Sequence, residues 1–100
     1  MRHRITFQRP VESRNDRNEM VTTWQNWRTV QAGVMPDNGR EFYRAKQENA
    51  EITGLLAIRY LKGLERTMRA RFCGRILELV WVRDPEERRR EMRVAFKEAQ

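Results

Sequence analysis

Apolar and polar residues alternate in "RITFQRPV", with Ile5, Phe7 and Val11 on one parity and Arg4, Thr6 and Gln8 on the other. Successive side chains of a strand point to opposite faces, so the pattern predicts a half-buried strand. Pro10 offers no N–H to a neighbour, which puts that end of the strand at a sheet edge or outside the ladder. The following "ESRNDRNEM" has no apolar position before Met20 and reads as a polar, turn-rich connection.

A second strand region follows in "TTWQNWRTVQAGVMP". Trp24, Val30, Ala32 and Val34 share one parity there, whereas Trp27 does not. Either both faces are partly covered or a β-bulge shifts the register. A third strand is expected in "EITGLLAIRYLKG", with Ile52, Leu56, Ile58 and Tyr60 in phase and Gly54 as a bend. "TMRARFCGRILELVWVRD" reads as a hairpin. Met68, Ala70 and Phe72 lead into a turn at Cys73-Gly74, and Ile76 to Val82 lead out of it. The run "ILELVWV" is apolar on both faces apart from Glu78, which marks a central strand.

Between the second and third strand regions the alternation stops, in "PDNGREFYRAKQENAEITG". Asn38 and Glu41 have the spacing of a capping box, and Gly39 eases the chain into a helix predicted from Arg40 to about Glu48. Such a helix groups Phe42 with Ala45, Lys46 and Asn49 and turns Tyr43 to an adjoining face. Its apolar stripe is too narrow to build a core by itself. The helix must lean its aromatics on the strands or on a neighbouring molecule.

The final segment, "DPEERRREMRVAFKEAQ", supports two readings. Asp84, Pro85 and Glu87 are helix-start signals, and Met92 with Phe96 fits a helical spacing of four. Met92, Val94 and Phe96 equally alternate as a strand. Local pattern alone slightly favours the helix. With no repeat or low-complexity linker, residues 1–100 are expected to form one mainly β domain with one short helix.

Composition sharpens this picture. The chain of 100 residues is 39% hydrophobic and 35% charged, and its three Trp and four Phe supply bulky core material. A small ordered domain with a very polar surface follows, rather than a disordered chain. Its 21 basic residues outnumber 14 acidic ones for a net charge of +7, and only Lys46, Lys62 and Lys97 among the bases are lysines. Arginine suits planar bidentate contact with carboxylates and phosphates, so the surface fits a protein interface and proximity to nucleic acid alike.

The candidate chemistry is sparse. Cys73 is the sole cysteine and His3 the sole histidine, so no internal disulfide and no metal site on this pair is expected. Neither GxxxxGK[ST], GxGxxG, HExxH nor CxxC occurs. The neighbouring Glu86 and Glu87 sit in a charge-rich turn, where a solvated face explains them better than acid–base work. An enzyme is therefore not expected, and no cofactor is implied. No signal peptide or membrane-spanning apolar run is present, which suggests a soluble protein made in the cytoplasm.

The order of these elements, together with "RHRITFQRP", "TTWQNW", "VQAGVMPDNGREFYRAKQENAEIT", "IRYLKG" and "MRARFCGRILELVWVRDPEERRREM", resembles the bacteriophage head–tail joining proteins, also called head-closure, head-completion or stopper proteins. The likeness is collinear over nearly the whole chain. It departs at the short lead before the first strand and at "SRNDRNEM", where the family often has a glycine turn. The resemblance implies a small β-barrel-like domain with a short helix between strands, and a final strand after "DPEERRRE". It also implies a virion neck protein that assembles as a homo-oligomeric ring of roughly six or twelve copies. Portal or adaptor proteins would lie above such a ring and tail proteins below, with packaged DNA nearby. On that reading Arg40, Phe42, Tyr43, Arg44 and Lys46 form an aromatic anchor with a charged rim for a neighbouring subunit or the adaptor. Phe42 has an alternative as a plug for one end of the barrel. Arg88, Arg89 and Arg90 are the densest candidates for the DNA channel or for acidic partners. A stand-alone nucleic-acid-binding barrel is the competing reading.

Overall fold

In a computed structural model, which describes residues 3–36, 38–84 and 89–98, six antiparallel strands form one sheet and a single helix packs outside it. The strands are β1 (His3–Arg14), β2 (Met20–Val34), β3 (Gly54–Arg59), β4 (Arg69–Phe72), β5 (Arg75–Arg83) and β6 (Glu91–Glu98), and helix α1 (Arg40–Glu48) joins β2 to β3. The sheet order β1-β2-β3-β6-β5-β4 closes when β4 pairs back onto β1, so the strands form a barrel.

The predicted alternation fills its interior. Ile5, Phe7, Leu56, Ile58, Leu77 and Val94 are all buried in one cluster. Strand β5 is bordered by β4 and β6, as its two-sided apolar run predicts. Its register shifts between Leu79 and Trp81. Leu77, Leu79 and Val82 face the barrel core while Val80 and Trp81 turn outward to the helix. That outer layer is a second core of Phe42, Ala45, Ile52, Leu55 and Ala95. Strand β3 is therefore covered on both faces, Leu56 inside the barrel and Leu55 beneath α1.

The turns follow their residue chemistry. Cys73 and Gly74 have φ of 51° and 78°, and they connect the paired residues Phe72 and Arg75. Positive φ at both central residues matches the twist of the flanking strands in a two-residue hairpin. The C-terminal segment is a strand, β6, in register with both β3 and β5. Partners on two sides override the helix-like spacing of Met92 and Phe96.

Several expectations change. Gly54 is not a bend: it lies in β3 opposite Phe96, and a Cβ there would sit 2.4 Å from the phenyl Cζ. Only a glycine leaves room for that ring against the strand. The capping box does not form. The N-cap is Gly39, held in a turn by its N–H donating to the Pro36 carbonyl, and Glu41 instead accepts from Arg93 Nε at 3.0 Å. Ile52 belongs to the helix layer, not to the phase of β3.

The largest change concerns β1 and β2, which run on as a ribbon beyond the barrel. Strand β1 pairs with β4 only at residues 6–8, and β2 pairs with β3 only at residues 32–34. Yet the two pair with each other down to Arg14 and Met20. The "polar connection" thus includes strand at both ends, and its loop is confined to residues 15–19. Asn15 organises that loop: its Oδ1 accepts from the N–H groups of Arg17 and Glu19, and Asn18 takes a positive φ of 63°. Val11, assigned to the buried set by parity, is 37% exposed because it lies on this arm.

Candidate functional site

Among the described residues no group of three or more His, Cys, Asp or Glu side chains gathers to hold a metal, and no helix is long and apolar enough to cross a membrane. The features that stand out are surfaces.

The first is the outer face of α1. Its nine residues bury Phe42 and Ala45 and leave Tyr43 64% exposed. Phe42 packs beneath the helix with Ile52, Leu55 and Ala95, in the layer outside the barrel core, and leaves Tyr43 as the aromatic presented to solvent. Arg40, Arg44 and Lys46 are exposed around it, and the Lys46 ammonium sits 5.8 Å from the centre of the Phe42 ring. Two ion pairs fasten the helix to the barrel, Arg93 to Glu41 at 3.0 Å and Arg83 to Glu48 at 2.9 Å. Burial disfavours the Arg93 charge, but hydrogen bonds to Glu41 and Glu91 outweigh it and raise its pKa. A groove beside this pair is lined by Arg44, Leu55 and Trp81. There the Arg83 guanidinium stacks 4.0 Å from the Trp81 ring centre, and the buried Trp81 indole N–H has no acceptor among the described residues.

The second surface is the arm. The register between β1 and β2 slips where Phe7 opposes Arg28 and Gln8 opposes Asn26, so Trp27 is the extra residue of a bulge. The bulge explains the parity clash of the two tryptophans. Trp27 packs on the barrel core, with Gly63 close against its ring, while Trp24 lies under the Arg69 guanidinium at 4.4 Å. Neither is a bare stacking platform for a base. At the arm's root the buried Gln8 links three strands: Arg69 Nε donates to its Oε1 at 2.8 Å, and its Nε2 donates to Asn26 Oδ1 at 2.7 Å. Burial, with help from nearby Arg71, lowers the Arg69 pKa. The hydrophobic pattern reads strand as far as Val11 and again from Thr22 but does not show that the pair leaves the barrel, because neither face of the arm meets the core.

The third is the basic segment before β6. Arg88 lies outside the described residues. Arg89 and Arg90 are exposed; the Arg89 N–H donates to Asp84 Oδ2 at 2.9 Å, and the Arg90 carbonyl accepts from the Tyr60 N–H. Arg90 borders a cleft between β2 and the end of β3, with Val30, Gln31, Arg59, Tyr60 and Leu61.

Among solved structures, protein SF1141 from Shigella flexneri 2a has 26% identity and a TM-score of 0.75, over 99% of this chain and 93% of that one. A chain in the virion of a native gene transfer agent particle shares the fold at 15% identity and a TM-score of 0.64, over 96% of this chain and 93% of that one. No curated protein sequence matches significantly. The profile of the phage head completion proteins matches residues 1–99, and the chain belongs to that family.

Proposed function

We propose that this protein completes the phage head as a connector: a ring of copies that closes the DNA exit below the portal or adaptor and presents a docking face to the tail. The family match over 1–99 carries the reading. The exposed arm and the Tyr43 surface support it, because a protein that works by assembly needs surfaces left open in the single chain. No reaction is required of it.

Tyr43 with Arg40, Arg44 and Lys46 is the contact to a neighbouring subunit or the adaptor. Arg88, Arg89 and Arg90 face the DNA passage or acidic partner surfaces. A net charge of +7 keeps free copies apart. Many weak contacts presented together by a filled head then give firm retention through effective concentration. The nucleic-acid-binding alternative is less well supported, since both arm tryptophans are covered.

Deleting the gene from the phage should leave packaging intact and yield tailless heads that lose their DNA. Purified protein added to such heads should restore DNA retention and tail attachment. Infectious tailed particles from the deletion phage would refute the proposal. Binding of the free protein to DNA should be weak, sequence-independent and steeply reduced by salt.

A further inference from the structure

The arm differs from the rest of the molecule in charge as well as in burial. Residues 10–23 carry three carboxylates, Glu12, Asp16 and Glu19, against two guanidinium groups, so the rest of the chain is more basic than the overall +7. In the barrel and helix, Glu41, Glu48, Glu51, Glu78, Glu91 and Glu98 each have a cationic partner. The three arm carboxylates have none among the described residues. The arm also exposes apolar surface, with Met20 56% and Val11 37% accessible.

The cleft beside β2 is the complement of that tip. Its floor is apolar, from Val30, Tyr60 and Leu61, and its rim carries Arg59 and Arg90. Neither arginine has an ion-pair partner among the described residues, and the one carboxylate at the rim, Glu91, is engaged by Arg93 at 3.3 Å. The arm does not fill its own cleft. It leaves the barrel at Gln8 and Asn26 and extends about 20 Å to Arg14 and Met20, at roughly 3.3 Å per residue. A two-stranded ribbon is marginally stable in water by itself, so a partner also stabilises the arm.

We infer that the arm tip of one copy seats in the cleft beside β2 of the next copy, with Met20 over Tyr60 and Leu61 and with Glu19 and Asp16 against Arg59 and Arg90. Tip and cleft are different patches, so the contact is head-to-tail, and head-to-tail contacts generate a ring when the rotation closes. The inference rests on the ring reading of the function.

The test joins tip to cleft covalently. Asp16→Cys and Arg90→Cys are placed together in a Cys73→Ser chain, which is added to heads from the deletion phage, and the particles are oxidised. A ladder of covalent multimers up to the ring is expected, with no ladder from either single cysteine. Particle-bound chains that stay monomeric, or a link from Asp16→Cys to another virion protein, overturn the inference while head completion stands. If wild-type protein neither enters the heads nor restores DNA retention, the ring reading fails and this inference with it. Charge reversal gives a second readout. Asp16→Arg with Glu19→Arg, or Arg59→Glu with Arg90→Glu, should each cut DNA retention at least tenfold, and all four together should restore it. Retention unaffected by either pair contradicts the contact.

Discussion

The arm continues two of the barrel's six strands, yet the two regions differ in almost everything else. Within the barrel, Ile5 and Phe7 of β1 are fully buried; a few residues on, Val11 of the same strand faces water. The ladder between β1 and β2 continues through both regions, so hydrogen bonding does not separate them. What separates them is the third and fourth partner. Where β3 and β4 join, the sheet curls and encloses side chains; where they are missing, no residue of the ribbon is fully buried. The lesson is that a β ladder sets position, while enclosure by further strands supplies the stability. The barrel is complete in one chain, whereas under the proposed contact the arm would gain its partner only in the assembly.

Paired truncations should expose this contrast most strongly. Phe7→Ala removes a fully buried ring and should cost about 3–5 kcal/mol of unfolding free energy, whereas Val11→Ala should stay within about 0.5 kcal/mol. Denaturant melts of both variants check this, and a large loss from Val11→Ala would break the comparison. A smaller effect is expected at the seam between barrel and helix layer. Gly54→Ala forces a methyl group against the Phe96 ring, and such overpacking should cost about 1–3 kcal/mol. A melt unchanged from the parent would mean that the ring yields freely.

Tyr43 tests whether the α1 face behaves like the arm or like the barrel. Tyr43→Ala should shift stability by no more than about 0.5 kcal/mol. It should weaken incorporation into heads by about 2 kcal/mol, as truncation of a central interface aromatic does. A collapse of the fold with no selective effect on assembly would return Tyr43 to a structural role.

The smallest effect is electrostatic. The hydrogen bond from Arg75 holds the Glu98 carboxyl below its usual pKa, and both groups are exposed. A carboxylate with a folded pKa below its unfolded value stabilises the fold above that unfolded value, and the contribution fades as pH falls through the folded pKa. The melting temperature of Glu98→Gln should therefore fall slightly below that of the parent at neutral pH, and the two should converge in acid. A gap that persists in acid would assign the effect to packing.

The sequence made the enclosed region legible and the open one almost invisible. Alternation placed Ile5, Phe7, Leu56 and Ile58 correctly because each strand of the barrel has one face that must be apolar. The helix bounds and the Cys73-Gly74 turn were equally readable, from a break in period and a turn-forming pair. "ESRNDRNEM" hid its strands because pattern reports burial, not backbone pairing, and the arm has no buried face. Gly54 was misread because its role depends on Phe96, a residue distant in sequence. The final strand needed the family resemblance, since Met92 and Phe96 satisfy both periods and only β3 and β5 decide between them. Of the candidate surface residues, exposure bears on Tyr43, Arg40, Arg44 and Lys46 alike, while burial separates Phe42 from them.

Hydrogen exchange measured on the free protein and on protein bound in completed heads tests the central claim most directly. A region with few buried contacts opens at little cost, so backbone amides of residues 11–23 should exchange far faster than those of β3 and β6 in the free chain. In completed heads the arm amides should slow markedly while the barrel changes little. Arm amides already as protected as the barrel in the free protein, or unchanged on entering the head, would contradict the account.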